Sequence, residues 1–261
     1  MILDEYERKR KRRCMLTEER FSKILSIINS EGSATAQHLM NELGVSESTI
    51  RRDLNTMDQK GLLIKVHGGA IAKGQDIKTF DEAVNNRKQQ NTEQKIAIAK
   101  YAASLIDDND FVYIDAGTTT ELMIDYIQAS DVTFVTNAFS HAKKLSDKGY
   151  TVYILGGEFK STTEAIVGEE AVVSLDKYNF TKGFWGTNAI SQKNGFTTPE
   201  VKEAMVKKKS MECCSKKYIL ADGSKFNKVS SVKFADFEEA YIITENPVTN
   251  GYENCKNILE V

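Results

Sequence analysis

The chain has 261 residues, of which 41% are hydrophobic and 28% charged, and its formal net charge is −2. This composition is ordinary for a soluble globular protein, and the length suggests about two domains. The balanced charge excludes a protein that binds nucleic acid through bulk positive charge. No apolar run approaches the ~18 residues of a membrane helix, so the sequence predicts a cytoplasmic protein without a membrane partner.

The positive charge is concentrated near the N-terminus. Residues 1–74 hold 13 Lys and Arg against 10 Asp and Glu, and six of the basic residues form the run Arg8 to Arg13. We expect residues 1–14 to be a charged, dispensable N-terminal extension, because Met15-Leu16-Thr17 resembles a natural start with Thr17 as a helix cap. The alternative is a disordered basic arm that contacts phosphates.

Three short helices are predicted next, within a DNA-binding domain at residues 15–73. Phe21, Ile24, Leu25 and Ile28 follow helical spacing before Gly32, and a second set follows it before Gly44: Ala36, Leu39, Met40 and Leu43. Only Gly44-Val45-Ser46 separates the second and third helices, which is typical of a helix-turn-helix.

The third helix has a buried and an exposed face. Ser46 is a good N-cap, and Ile50, Leu54 and Met57 form one apolar stripe. The opposite arc carries side chains that bond phosphates and base edges, although an ordinary solvated helix face would look the same. Leu62 to Ile71 then alternates in part and breaks at Gly68-Gly69, as a two-stranded wing does. The candidate DNA-binding residues are Ser46, Ser48, Thr49, Arg51, Arg52, Asn55, Lys65 and His67.

The remainder of the chain predicts a linker over residues 74–91 and an α/β domain over residues 92–261. A helix is expected from Ile96 to Ile106, and strands then alternate with helices, which argues for a parallel sheet covered by helices. The predicted strands are Phe111 to Ile114, Val132 to Val135, Thr151 to Leu155, Gly183 to Gly186, Tyr218 to Leu220 and Tyr241 to Thr244. The four cysteines lack metal-ligand spacing and are expected to be reduced thiols, so no metal or cofactor is predicted.

Polar residues follow several of the predicted strands. Open α/β sheets bind ligands beyond the carboxyl ends of their strands, so these residues are expected to converge, although each alone could be a turn or a cap. Gly117 and the three hydroxyls after it could cradle a phosphate at a helix start. The strand-end residues are Asp115, Gly117, Thr118, Thr119, Thr120, Asn137, Gly156, Gly157, Thr187, Asn188 and Asp222 to Lys225. Glu203 and Lys207 lie four apart on one helix face, where an exposed ion pair is the simple alternative.

Motifs in both predicted domains indicate a family resemblance. Glu47-Ser48-Thr49-Ile50-Arg51-Arg52-Asp53-Leu54 and Val66-His67-Gly68-Gly69-Ala70 resemble the N-terminal signature of the DeoR family of bacterial transcriptional regulators. Asp115 to Thr120, Thr136-Asn137, the Gly156-Gly157 pair, Glu203-Ala204 with Lys207, and Ala221-Asp222 with Ser224-Lys225-Phe226 resemble its sensor domain. The resemblance implies an N-terminal winged helix-turn-helix plus a C-terminal open α/β sensor domain similar to ribose-5-phosphate isomerases.

The resemblance also implies a function. The expected partners are operator DNA, a phosphorylated sugar effector and further copies of the chain, as a homodimer or homotetramer. Lys207 and Lys225 become candidates for the anionic part of the effector, and Asp115 and Asp222 for its hydroxyls. The full set of candidate effector-binding residues is Asp115, Gly117, Thr118, Thr119, Thr120, Asn137, Gly156, Gly157, Glu164, Asn188, Glu203, Lys207, Asp222 and Lys225.

The subfamily is less sharply defined. Tyr113 to Thr120 and Gly195 to Pro199 resemble fructose-operon repressors, which implies fructose 1-phosphate as the effector. Thr163-Glu164-Ala165 resembles lactose phosphotransferase repressors instead, which implies tagatose 6-phosphate. A remote alternative is a sugar-phosphate isomerase with Asp115, Asp222 or Glu203 as the base.

Overall fold

The computed structural model describes residues 17–31, 33–66, 68–72, 84–245, 251–252 and 254–261. The chain divides into two compact units, Met1–Asp76 and Ile77–Val261. No helix among the described residues is long and apolar enough to cross a membrane. The predicted extension over residues 1–14, the wing residue His67 and residues 73–83 lie outside the described part of the chain.

The N-terminal unit is a winged helix-turn-helix. In chain order its elements are α1 (Thr17–Glu31), β1 (Ser33–Thr35), α2 (Ala36–Leu43), α3 (Glu47–Gln59), β2 (Leu63–Val66) and β3 (Gly69–Ala72). The strands form an antiparallel sheet in the order β1-β3-β2. The three predicted helices and the two-stranded wing are confirmed, whereas β1 was not expected because three residues are too few to show a period.

Local sequence explains the geometry of this unit. The Thr35 hydroxyl caps α2 by accepting from the His38 amide at 3.1 Å, and Ser46 caps α3 by accepting from the Thr49 amide at 3.4 Å. Gly44 ends α2 at φ +63, a left-handed conformation that glycine adopts without strain. A Cβ at Gly69 would lie 2.2 Å from the Ala34 carbonyl oxygen, so β1 and β3 can pair only if this residue is glycine.

A buried ion pair fixes the third helix to the first. Asp53 on α3 is 4% exposed and accepts from the Arg20 guanidinium of α1 through both carboxylate oxygens, with Nη2 to Oδ1 at 3.0 Å. Around the pair, Ile50, Leu54 and Met57 pack into the core against Ile24 and other apolar residues of the unit. The predicted apolar stripe is therefore correct, and the acidic residue of the Arg-Arg-Asp-Leu motif is structural.

The C-terminal unit contains three sheets and six α-helices within the described residues. In chain order its elements are α4 (Val84–Lys88), α5 (Thr92–Ser104), β4 (Phe111–Ile114), α6 (Thr118–Tyr126), β5 (Thr133–Thr136), α7 (Phe139–Asp147), β6 (Thr151–Ile154), β7 (Glu158–Lys160), β8 (Ala165–Val167), α8 (Glu169–Ser174), β9 (Phe180–Gly186), β10 (Ala189–Ser191), β11 (Gly195–Thr198), α9 (Val201–Glu212), β12 (Cys214–Leu220), β13 (Val232–Ala235), β14 (Tyr241–Thr244) and β15 (Ile258–Glu260). Short 3-10 turns span Leu175–Lys177, Gly223–Lys225 and Phe237–Glu239.

The main sheet has seven parallel strands in the order β15-β14-β12-β9-β4-β5-β6. Alternate strand residues enter two cores, one containing Tyr113 and Trp185 and the other containing Ile114 and Phe184. The chain runs from β4 outward to β6 and returns on the other side of β4 with β9. The switch point of the topology therefore lies between β4 and β9, where open α/β sheets bind ligands. The predicted parallel α/β fold is confirmed.

Several short elements depart from the sequence expectation. β10, β11 and β13 form a separate antiparallel sheet, and β7 pairs with β8 in a hairpin. The predicted linker over residues 74–91 contains the helix α4, and Val84, only 7% exposed, donates its amide to the Thr162 carbonyl at 3.1 Å. Residues 84–91 therefore pack into the C-terminal unit, which their polar sequence did not reveal. We call residues 84–91 the connector segment.

Candidate functional site

The outer face of α3 presents the predicted DNA-binding residues in part. Arg52 and Asn55 are exposed, as are Ser46 and Ser48. Arg51 is exposed but pairs with Glu47 one turn earlier at 2.6 Å. The Ser46 hydroxyl lies 3.0 Å from that of Ser48 and 2.9 Å from that of Thr49, so these groups are engaged at the helix start.

The wing contributes one further predicted residue to this surface. Lys65 is exposed, and its amide donates to Asp58 Oδ1 of α3 at 3.0 Å, which ties β2 to the third helix. Lys65 lines a shared concave surface with Arg51 and Asn55. The surface thus combines cationic and amide side chains, which bind phosphates and base edges respectively.

A cleft opens at the switch point of the C-terminal unit, at the carboxyl ends of β4, β9 and β12. Its cavity volume is about 60 Å³. The described residues that line it are Arg87, Gln90, Asn91, Lys95, Asp115, Ala116, Gly117, Thr118, Thr119, Thr120, Asn137, Thr163, Ala165, Gly186, Thr187, Asn188, Glu203, Lys207, Leu220, Asp222 and Lys225.

A buried ion pair forms the floor of this cleft. The Lys207 ammonium of α9 donates to Asp115 Oδ2 and, at 3.0 Å, to the Gly186 carbonyl, while the Gly186 amide donates to Asp115 Oδ2 at 3.3 Å. Burial raises the pKa of the Asp115 carboxyl, and Lys207 opposes that rise. The second oxygen, Oδ1, is buried without a hydrogen-bond partner, so Asp115 keeps an acceptor that a ligand hydroxyl could fill.

Glu203 and Lys207 share a buried helix face, but they are not each other's partners. Glu203 is 7% exposed and Lys207 6%. Glu203 Oε1 accepts from Thr163 at 2.7 Å and from Lys160 at 3.2 Å, and Oε2 accepts from Thr198 at 3.2 Å. The alternative of an exposed ion pair between them is therefore wrong, because each side chain points to a different wall of the cleft.

The turn between β4 and α6 has the form predicted for a phosphate cradle. Helix α6 begins at Thr118 after Gly117, and no side chain caps it. The Thr120 hydroxyl donates to the Asp115 carbonyl at 2.7 Å and lies 3.1 Å from Nε2 of the buried His141. Thr120 thus shapes the turn, whereas Thr118 and Thr119 face the cleft with the uncapped first-turn amides.

His141 is a supporting residue that the sequence did not single out. Burial lowers its pKa to about 3, with smaller contributions from the nearby Lys144 and Lys88, so the ring is neutral at physiological pH. Its other nitrogen, Nδ1, lies 3.2 Å from the Ser140 hydroxyl. Asn137 supports the same turn, because its Oδ1 accepts from the Ala116 amide at 2.8 Å.

The opposite wall of the cleft is cationic. Lys95 of α5 donates to the Arg87 carbonyl, and burial lowers its pKa, a shift that Asp222 opposes and that Lys225 and Arg87 increase. Asp222 Oδ1 accepts from the Ser224 amide and from Asn91 Nδ2, both at 3.0 Å. Among the described lining residues the basic side chains are Arg87, Lys95, Lys207 and Lys225, against the acidic Asp115, Glu203 and Asp222.

The structure brings together most of the predicted effector residues but leaves out three. Gly156 and Gly157 follow the edge strand β6 and do not line the cleft. Gly157, at φ +139, allows close approach of β8, since a Cβ there would lie 2.8 Å from the Val167 carbonyl oxygen. Glu164, at φ +54, is half-buried just before β8, and its neighbours Thr163 and Ala165 face the cleft in its place.

Sequence reasoning also missed residues of the cleft. Three of these residues lie in the predicted linker: Arg87, Gln90 and Asn91. The fourth, Lys95, lies on α5, and the pattern of apolar residues did not indicate which side of this helix faces the cleft. The available signal was Lys95 itself, a lysine directly before the helix predicted from Ile96 to Ile106. Thr187 follows β9, and its hydroxyl donates to the Ala189 carbonyl at 3.0 Å, so it shapes the turn there.

The winged helix defines the class of protein as DNA-binding, and comparisons with known families agree. The model of the DeoR-like helix-turn-helix domain matches residues 20–75, and the model of the DeoR C terminal sensor domain matches residues 90–246. The chain belongs to the DeoR family of regulators.

Curated relatives align with nearly the whole chain. The chain is 41% identical to the uncharacterized HTH-type transcriptional regulator FruR of Bacillus subtilis, over 92% of this chain and 95% of that protein. It is 34% identical to the HTH-type transcriptional regulator IolR of the same organism, over 91% and 95%. It is 33% identical to the lactose phosphotransferase system repressor of Staphylococcus aureus, over 95% and 99%.

Solved structures show more distant likeness. Ribose 5-phosphate isomerase A of Methanocaldococcus jannaschii matches at 16% identity and a TM-score of 0.38, over 52% of this chain and 55% of that one. The eIF2B delta subunit of Chaetomium thermophilum matches at 18% identity and a TM-score of 0.39, over 59% of each chain. The chain spans only a little more than half of each structure, and likeness at this level does not bear on function.

Proposed function

We propose that the protein is a transcriptional repressor of an operon for sugar uptake and catabolism, and that a phosphorylated sugar bound in the C-terminal cleft releases it from operator DNA. The family and the exposed face of α3 support the DNA-binding part. The proposal includes assembly as a homodimer or homotetramer in the cytoplasm, because paired half-sites double the few base contacts that one α3 can make.

The observation that carries the effector class is the polarity of the cleft. The cleft is lined by the start of α6, whose first-turn amides are uncapped, and by Lys95 and Lys225, which together suit a phosphate. It is also lined by Asp115, whose unpartnered Oδ1 suits a sugar hydroxyl. The charge of Lys207 is neutralised by Asp115. In this proposal Lys207 therefore positions the Asp115 carboxylate, and Lys225 and Lys95 bind the phosphate.

Fructose 1-phosphate is the first candidate and tagatose 6-phosphate the alternative. The first rests on the motif resemblance around Asp115 and is supported by the greater identity to the FruR relative. The argument for the second rested on Glu164, which does not line the cleft. Thr163 takes that place and donates to Glu203, so it is a better candidate for contacting the sugar.

The mechanism we propose is a population shift. The sugar phosphate binds more tightly to the conformation of the oligomer that mis-spaces the two α3 helices than to the conformation that fits the operator. By reciprocity, operator DNA weakens sugar-phosphate binding by the same factor.

An isomerase reaction has less support from the cleft. Both Glu203 oxygens accept hydrogen bonds from protein donors, and Asp115 is paired with Lys207, so neither is poised as a general base. Turnover of a sugar phosphate above background by the purified chain would revive the enzyme hypothesis.

The effector class can be tested by thermal unfolding monitored through Trp185 fluorescence. The panel is fructose 1-phosphate, tagatose 6-phosphate and fructose 1,6-bisphosphate, with fructose and inorganic phosphate as controls. A ligand at 100 times its Kd should stabilise the protein by ~2.7 kcal/mol. Lys225→Met should remove the shift, whereas Lys228→Met, which lies outside the cleft, should retain it. Absence of a shift with every sugar phosphate would refute the proposal.

A further inference from the structure

The connector segment forms one wall of the effector cleft. The described residues of the DNA-binding unit end at Ala72, and the connector segment is the next described part of the chain. Arg87, Gln90 and Asn91 all line the cleft. The first described residues after the DNA-binding unit are therefore part of the proposed ligand site.

The connector segment is held on the C-terminal unit by contacts to elements that themselves border the cleft. Lys88 pairs with Glu121 of α6 at 3.0 Å, and the Val84 amide bonds to the carbonyl of Thr162, next to the cleft residue Thr163. Asn91 donates to Asp222 at 3.0 Å. These three contacts are polar, and the side chain of Val84 is buried at the start of the segment.

Two features of the segment indicate that the site is incomplete without an anion. Arg87 Nε is buried and has no hydrogen-bond partner, and burying such a donor costs free energy. Arg87 also lies beside Lys95, whose pKa is lowered first by burial and further by the charges of Lys225 and Arg87, against the opposing charge of Asp222. An anion placed among these cations would accept from Arg87 and offset the repulsion.

We propose that Arg87 is an anion-binding residue of the effector site and that, through it, the sugar phosphate clamps the connector segment onto the C-terminal unit. The inference rests on the proposed function. It names the place where regulation starts, because the phosphate binds directly to the connector segment, which precedes the rest of the C-terminal unit and follows the DNA-binding unit. The hydrogen bond between Asn91 and Asp222 holds the other end of that segment. Ligand binding thereby changes the freedom of the connector segment.

Hydrogen exchange on the full-length chain tests the clamp, with fructose 1-phosphate, tagatose 6-phosphate and inorganic phosphate as probes. Peptides covering residues 84–95 should exchange at least tenfold more slowly with a bound sugar phosphate. A probe that shifts the thermal transition but leaves these peptides unchanged overturns the inference and leaves the proposed function intact. If none of the probes binds, the proposed function fails and the inference fails with it.

Variants separate binding from transmission. Arg87→Gln should weaken sugar-phosphate binding at least tenfold without changing operator affinity in the absence of ligand. Lys100→Gln, on the exposed side of α5, is the matched loss of charge and should bind as the wild type does. Asn91→Gly keeps the left-handed backbone at φ +51 but removes the bond to Asp222, and should reduce the ligand-induced release of operator DNA. Wild-type binding and release in both Arg87→Gln and Asn91→Gly would overturn the inference.

Discussion

Replacing Lys207 by methionine should destabilise the C-terminal unit by ~3–5 kcal/mol, because the buried Asp115 carboxylate loses its counter-charge. Asp115 is 1% exposed and Lys207 6%, so solvent screens neither group well. Methionine nearly fills the volume of the lysine stem, so a cavity adds little. The Gly186 carbonyl also loses its hydrogen-bond donor, which costs about 1 kcal/mol. That cost is included in the range of ~3–5 kcal/mol.

The double variant Lys207→Met with Asp115→Asn distinguishes a charge effect from a packing effect. An amide at position 115 carries no charge and can still accept from the Gly186 amide. We expect the double variant to recover most of the loss, which gives a coupling free energy of several kcal/mol in a double-mutant cycle. The deficit of Lys207→Met alone should also shrink between pH 7.5 and 5.5. Without the lysine, the already raised pKa of Asp115 rises further, and a protonated carboxyl buries no charge.

The assay is urea unfolding followed by tryptophan fluorescence. Trp185 is the single tryptophan and is fully buried in the C-terminal unit, so its signal reports that unit alone. A probe confined to one unit matters because a chain with two units need not unfold in one step. Lys202→Met, an exposed position on the same helix, is the control and should leave the transition unchanged. Wild-type stability of Lys207→Met, or a double variant as unstable as the sum of the single ones, would refute the reasoning.

Three further predictions concern other parts of the chain. Arg52→Ala should weaken binding to an operator selected from a random DNA library by ~1–3 kcal/mol, measured by fluorescence anisotropy, because Arg52 is exposed on the outer face of α3. Asp53→Asn should destabilise the winged helix by about 3 kcal/mol in far-UV circular dichroism, because it removes the buried negative charge that pairs with the Arg20 guanidinium. His141→Gln should reduce the acid sensitivity of the C-terminal unit. Between its ordinary value of 6.5 and the folded value of about 3, His141 takes up a proton only on unfolding, so wild-type stability falls as the pH drops. The loss is ~1.4 kcal/mol per pH unit, or about 2 kcal/mol at pH 5.

Each of these has a control and a contradicting result. Lys23→Ala on α1 should not alter operator affinity, and equal losses at positions 23 and 52 would mean that Arg52 acts only through general charge. For Asp53→Asn, the Trp185 transition should stay in place, and a shift of both transitions would contradict a local role. For His141→Gln, pH profiles that run parallel to the wild type would show that this ring is not the titrating group.

The sequence determined the class of both units before any contact was known. Helical and strand periods depend on neighbours a few residues apart, so Ile50, Leu54 and Met57 marked the buried face of α3, and Phe111 to Ile114 marked a buried strand. Caps and tight turns are equally local, which is why Ser46 and Gly44 were interpreted correctly. The strand-end rule then placed Asp115, Asn137 and Asp222 together, because parallel strands end at one edge of a sheet.

Only the tertiary structure decided which polar side chains pair and which remain available. Lys207 binds Asp115 and Glu203 binds Thr163, partners 92 and 40 residues away, and no local pattern carries that information. The connector segment is the clearest case. Its polar sequence predicts a linker, but Arg87 and Asn91 line the cleft, and Asn91 is bonded to Asp222, 131 residues away. Burial of a polar group is set by the whole fold, so the cationic wall of the cleft could be identified only from the tertiary structure.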